Sequence, residues 1–260
     1  MTTHLLYQVE GGIATLTLNQ PELMNAFSDE MRAGLLVHLD SIEHDPTVRC
    51  VVITGAGKAF GAGGDIANMV ALQARGDTDK TQQRMAIGAA VVKKIRALKM
   101  PVIAAINGAA AGAAMNLALA CDLRYASERA VFAQSFVKIG LIPDWAGHYL
   151  LTQLVGTARA LEMMLLGDRV TAQDALRLGF INQIFPAASF AIDVRAIATR
   201  LAAGPRQTLA AIKHGVYLGA TGDLAAVLDH EREAQLALFL SADAREGMQA
   251  FLQKRPPRFE

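Results

Sequence analysis

Short apolar runs alternate with longer amphipathic ones along most of this chain. Residues 5–18 place Leu6, Tyr7, Val9, Ile13, Thr15, Leu16 and Leu18 in strand-like alternation about Gly11-Gly12, which predicts a β-hairpin. Asn19-Gln20-Pro21 ends it. Ser28, followed by Asp29 and Glu30, reads as a helix N-cap, and Met31, Leu35, Leu39 and Ile42 then recur at helical spacing until Asp45-Pro46. Residues 48–54, VRCVVIT, are the kind of run found in a strand covered on both faces. A helix over 81–98, with Met85, Val91, Val92 and Ile95 on its apolar side, leads into the strand 102–106. Strands follow at 121–126 and 131–133. Helices are expected from Trp145 through Leu154 and over 158–166 and 171–178, before a last strand at 180–185. Beyond Ser189 the pattern is helical throughout, over 190–203, 206–218, 223–240 and 242–254. The repetition of strand and helix predicts an α/β fold. The change of pattern near residue 200 divides the chain into a core of residues 1–200 and a helical region of residues 201–260, which reads as an association region.

Two segments stand out for what they lack. Residues 101–121, PVIAAINGAAAGAAMNLALAC, carry no charge and nine alanines. They read as a buried strand, a turn at Asn107-Gly108, and a helix opened by Gly112, Ala113 and Ala114. The first amides of a helix have no partner inside it and lie at the positive end of its dipole. A helix start this bare is built to meet a negatively charged oxygen. The run is interrupted by Asn107, Gly108 and Asn116 and lacks a basic flank, which argues against a membrane span. The second segment, residues 55–66 (GAGKAFGAGGDI), holds five glycines between a strand and a helix expected to begin near Asp65. It matches neither phosphate-loop nor dinucleotide spacing. It reads instead as a second source of exposed backbone N–H groups.

Composition narrows the class. A chain of 260 residues that is 52% hydrophobic can bury a large core. A net charge of +1 without a run of Lys or Arg gives no footprint for nucleic acid. The first twelve residues lack the basic and apolar segments of a secretory leader, and Cys50 and Cys121 lie in apolar surroundings typical of reduced thiols, so the expected compartment is the cytoplasm. No metal-ligating pattern is found.

Five landmarks, in order, give the chain a family likeness: NQPELMNAFS at 19–28, GKAFGAGGDI at 57–66, PVIAAINGAAAGAAMNLALACDL at 101–123, KIGLIPD at 138–144 and REGMQAFLQKR at 245–255. The sequence resembles the crotonase superfamily, the enoyl-CoA hydratase/isomerase fold, over nearly its whole length. The resemblance implies a spiral of repeated β-β-α units with a C-terminal helical oligomerisation region, a homotrimer or dimer of trimers, and acyl-CoA thioesters as substrates. It implies no permanently bound cofactor, no nucleic-acid or membrane partner, and a place in fatty-acid or aromatic degradation. By motif position, the backbone N–H groups of Gly64 and Ala113 would polarise the thioester carbonyl. Ala26, Lys58, Ala62, Gly64, Asp65, Ile66 and Lys254 would hold the CoA portion, the two lysines toward its phosphates. Asn116, Phe136, Trp145 and His148 would line the substrate pocket.

Hydratases of the family carry two glutamates that position and activate water. Here Asn116 and Phe136 occupy those positions, and neither transfers a proton at neutral pH. The remaining carboxylate is Asp144. On local sequence alone, an aspartate after Pro143 and before a helix reads as an N-cap. Its family position implies a catalytic carboxylate, and KIGLIPD together with NGAAAGAA most resembles the 1,2-epoxyphenylacetyl-CoA isomerase branch. The reading that follows is an isomerase, shifting a double bond or opening a ring epoxide through a thioester enolate. Three alternatives stand beside it: a hydratase with a non-standard site, a dehalogenase or hydrolase using Asp144 as nucleophile, and an acyl-CoA binder without catalysis.

Overall fold

The computed structural model describes residues 3–259. The opening hairpin forms as its pattern predicts: β1 (Leu5–Glu10) pairs antiparallel with β2 (Ile13–Leu18). Gly11 and Gly12 both take positive φ (57° and 75°), the backbone that a two-residue hairpin turn requires. Helix α1 (Asp29–His44) starts where Ser28 accepts the Met31 amide at 3.0 Å, and it buries Met31, Leu35, Leu39 and Ile42.

From here the chain repeats one unit, in which a long strand joins one sheet, a three-residue strand joins another, and a helix returns the chain. The first turn is β3 (Cys50–Gly55), β4 (Ala59–Gly61), α2 (Ile66–Ala74) and α3 (Thr78–Ala97). The second is β5 (Val102–Ile106), β6 (Ala109–Ala111) and α4 (Gly112–Ala120). The third is β7 (Leu123–Ser127), β8 (Val131–Ala133) and α5 (Gly147–Leu166). Then come β9 (Arg169–Thr171), α6 (Ala172–Leu178) and β10 (Gln183–Phe185). The long strands build a six-stranded sheet in the order β1-β2-β3-β5-β7-β10, parallel except for β1, and the short ones build a sheet in the order β4-β6-β8-β9. Strands β3 and β5 are covered on both faces, as their apolar runs require. Every residue of α4 is buried, which is why the helix has no charge.

Several expectations need correction. Asn107-Gly108 ends β5 and α4 opens at Gly112 as expected, but between them the chain crosses to β6 in the other sheet instead of passing straight into the helix. Asn107 holds both sides of that crossing, accepting from the Gly55 amide at 3.1 Å and donating to the Ala59 carbonyl at 3.2 Å. A side chain at Gly108 would lie 2.0 Å from the Lys58 carbonyl oxygen, so the crossing needs glycine. The expected strand 180–185 is only β10, the strand 121–126 begins at Leu123, and the helix expected to open at Trp145 opens at Gly147. Gly156, with non-helical φ/ψ, divides α5 near the expected break.

After β10 come α7 (Phe190–Ala202), α8 (Arg206–Thr221), α9 (Leu224–Phe239) and α10 (Ala242–Leu252). Helix α7 seals the outer face of the large sheet with Phe190, Val194, Ala198 and Ala202. Helices α8 and α9 have no buried residue, and Leu224, Leu236, Phe239 and Phe251 are exposed. Helix α8 is tied back to the body by Lys213, whose Nζ lies 2.8 Å from Asp122 Oδ2, and by the Tyr217 hydroxyl, which donates to Asp122 Oδ1.

Candidate active site

The two bare segments meet. Gly63 has φ 87°, and a Cβ there would lie 2.7 Å from the Ala111 carbonyl oxygen and 3.0 Å from the Ala113 nitrogen. Glycine therefore lets the 63–64 backbone press against the first turn of α4. On its other side the same loop is held by Phe27, whose amide donates to the Gly63 carbonyl at 2.6 Å. Ala111 precedes α4 and has no side chain able to cap it, so the amide of Ala113 opens toward the loop rather than toward a cap. Gly112 is left-handed at φ 52°, and Phe136 packs 3.7 Å from where its Cβ would be. The structure thus brings Gly64, Ala113 and Phe136 to one place.

Asp144 does not cap α5. The residue ahead of that helix is Ala146, and no side chain caps the helix there. Trp145 and Ala146 both adopt left-handed backbone, φ 49° and 58°, and this pair delays the helix to Gly147. The Asp144 carbonyl is engaged twice, by the Gly147 amide at 2.9 Å and by Asn116 Nδ2 at 2.8 Å. Of its carboxylate, Oδ1 is sealed from solvent and meets no hydrogen-bond donor. Burial pushes the carboxyl up to about 6, against a smaller opposing pull from Arg32. Arg32, itself buried on α1, donates to the Phe27 carbonyl at 2.6 Å and is stabilised by the fields of Asp29, Asp144 and Asp65.

The other candidates divide. Asn116 is fully buried and does not line an open pocket: its Oδ1 accepts from Gln134 Nε2 at 2.7 Å while its Nδ2 serves Asp144. Trp145 is likewise core, packed against Phe27 with ring centroids 5.0 Å apart and planes tilted by 49°, and laid over Gly88 so closely that a Cβ there would lie 2.5 Å from its Nε1. His148 is exposed. Asp65 caps α2, accepting the Asn68 amide at 3.1 Å. Ala26 is buried, and Lys58, Ala62 and Ile66 are exposed along the glycine loop. Lys254 is exposed just beyond α10, which packs on α9. Gln134, Gly88, Gly147 and Arg32 complete the site and have no motif of their own in the sequence, while Gly63 belongs to the glycine-rich segment 55–66. Among the described residues, the group Asp40, Glu43 and His44 has metal-ligand spacing, but it is exposed and both acids are paired with Lys94.

Chemically, the arrangement offers preorganised amides for an oxyanion and a single carboxylate, largely desolvated, within one side chain's reach of the same helix. The family model for enoyl-CoA hydratase/isomerase matches residues 8–260. The chain is 40% identical to the 1,2-epoxyphenylacetyl-CoA isomerase of Escherichia coli (strain K12), covering 100% of this chain and 99% of that protein. It is also 40% identical to a Rhodobacter capsulatus protein named "Probable enoyl-CoA hydratase", with 100% and 99% covered. A solved enoyl-CoA hydratase of Polaromonas sp. JS666 superposes with a TM-score of 0.94 at 34% identity, over 98% of this chain and 99% of that one.

Proposed function

The chain belongs to the enoyl-CoA hydratase/isomerase family, and on that footing we propose that it is an acyl-CoA isomerase whose one acid–base group is Asp144. The observation that carries this reading is the Asp144 carboxylate, half-buried, with Oδ1 sealed and without a hydrogen-bond donor, and raised to about 6. A carboxylate in that state is a base near neutral pH.

In the reaction, the N–H groups of Gly64 and Ala113 hold the thioester oxygen. Asp144 takes a proton from C2 of a 3-enoyl thioester, the electron pair moves onto the thioester oxygen, and the same carboxyl returns the proton at C4. No water is consumed, and the carboxylate is regenerated. Hydration in this family uses two glutamates. Here the first position is Asn116, with both ends of its amide engaged, and the second is the apolar Phe136. That contrast favours isomerisation over hydration. The CoA portion lies along Ala26, Ala62, Asp65 and Ile66, with Lys58 and Lys254 toward its phosphates. The exposed apolar residues of α9 and α10, Leu236, Phe239 and Phe251 among them, support association into three or six chains, which sedimentation of the purified protein would read.

Asp144→Asn is expected to cut kcat on a 3-enoyl-CoA by about 10³-fold or more, since general acid–base groups typically contribute 10²–10⁴-fold. Retained turnover would overturn the role. In the unaltered protein the ionised form is the active one, so kcat/KM should rise with pH through about 6 and level off above it. A profile flat from pH 5 to 8 would contradict the assignment.

A further inference from the structure

We propose that Asn116, held in turn by Gln134, is a positioning residue that fixes the Asp144 carboxylate relative to the oxyanion donor on Ala113. The inference rests on the isomerase reading above and deepens it.

The first argument is backbone strain. Two consecutive residues other than glycine, Trp145 and Ala146, take left-handed φ directly after Asp144. Such a pair persists only where its surroundings hold it. Two contacts do so. The Trp145 ring is wedged between Phe27 and Gly88, and the Asp144 carbonyl is bound by Asn116. Released from the second contact, the turn can relax and carry the carboxylate with it.

The second argument is the polarity of the amides. The Asp144 carbonyl can only accept, so Asn116 must turn its NH₂ toward it, and its Oδ1 then faces Gln134, which must turn its own NH₂ inward. That leaves Gln134 Oε1 buried without a partner. An unpartnered buried oxygen is unfavourable, so the orientation of Gln134 is set by Asn116 rather than by its own needs. The close approach also needs Gly147, since a Cβ there would lie 2.4 Å from Asn116 Nδ2.

The third argument is the helix. Asn116 stands three residues after Ala113 on α4, so both lie on one face of a rigid, fully buried element. The helix that presents the oxyanion donor therefore also grips the backbone of the base. Gln134, Asn116 and the Asp144 carbonyl form one line from β8's end to the turn.

The test is the double variant Asn116→Leu/Gln134→Leu, which replaces both partners with apolar groups of similar size and leaves neither amide orphaned, assayed on a 3-enoyl-CoA. A misplacement of about 1 Å in a reacting group costs on the order of 10²-fold. We expect kcat to fall by about that factor, with KM and the affinity for a saturated acyl-CoA within about two-fold. In an Asp144→Asn background the same pair should cause no further loss, because it acts through Asp144. Unchanged kcat, or an undiminished loss in that background, overturns the proposal. If the double variant does not fold, Asn116→Asp at pH 9 takes its place. It keeps the volume, and once ionised it cannot donate to the carbonyl; a kcat loss of tenfold or more at unchanged KM supports positioning, and unchanged kcat overturns it. Asp144→Asn alone separates the two readings. Full activity there removes the isomerase assignment, whereas an inactive Asp144→Asn beside fully active Asn116 variants removes only the clamp.

Discussion

At the start of α2 the Asp65 carboxylate accepts the Asn68 amide at 3.1 Å; ahead of α5 the Asp144 carboxylate caps no helix, and the helix waits until Gly147. Both aspartates lie in the field of Arg32 and flank the same meeting of loop and helix. The difference between them is made by the backbone. Asp65 is extended at φ −74° and ψ 99°, the ordinary conformation of an N-cap, and its side chain falls onto its own helix. After Asp144, two left-handed residues swing the helix start away from the carboxylate, while Asn116 and the buried Trp145 keep it there. One carboxylate is consumed by local structure. The other is kept ionisable and desolvated, and that is the state chemistry requires.

The largest test of this contrast is to neutralise each acid in turn. Besides its effect on rate, Asp144→Asn should stabilise the protein. The folded carboxyl titrates at about 6, above the ordinary 3.8, so ionisation opposes folding. Stability is lost as pH rises from about 4 through 6 and is flat above. The variant escapes that loss, gaining up to ~3 kcal/mol at pH 8 and nothing at pH 3. Asp65→Asn, which keeps a capping oxygen, should move stability by only a few tenths of a kcal/mol. Urea unfolding at both pH values reads all four quantities, and equal shifts for the two variants would dissolve the distinction.

Next in size is the loop that joins the two helix starts. Gly63→Ala puts a methyl group 2.7 Å from the Ala111 carbonyl oxygen at a positive φ. The loop must then back away from α4 and take the Gly64 amide with it. Losing one oxyanion donor typically costs about 10²–10³-fold in kcat, so a loss near 10²-fold is expected, with the Asp144-dependent rise near pH 6 preserved. A displaced pH profile instead would mean that the loop, not the turn at 144–146, governs the base.

Much of this was legible in the chain before any coordinates, and the parts that were not share a cause. Period and caps located the hairpin, α1, the buried strands and the C-terminal helices, because each signal lies within a few neighbouring residues. The short strands β4, β6 and β9 went unread: three residues of Ala, Gly or mixed character have no alternation, and they pair only because the chain crosses between sheets. The two segments that bare their backbone N–H groups were visible through their missing side chains. Their contact was not, since it depends on the space left by Gly63. The family resemblance pointed to Asp144 where its local sequence pointed to a cap. What keeps Asp144 from capping α5 is left-handed backbone at Trp145 and Ala146, and residues other than glycine announce no such conformation. Gln134 and Asn116 act through a carbonyl 28 residues beyond Asn116, a link that no spacing rule encodes.

The smallest expected effect closes the comparison from the other side. Asp65→Ala removes the oxygen that accepts the Asn68 amide, together with one of the three carboxylate charges in whose field Arg32 lies. Loss of an N-cap costs about 1 kcal/mol. In a chain of this size that is roughly 2–4 °C in Tm. Thermal unfolding should register the change while kcat on a 3-enoyl-CoA stays within about two-fold. If kcat instead fell as steeply as in Asp144→Asn, Asp65 would belong to the reacting groups. The single-carboxylate mechanism would then give way to a two-carboxylate one, with Arg32 between the pair.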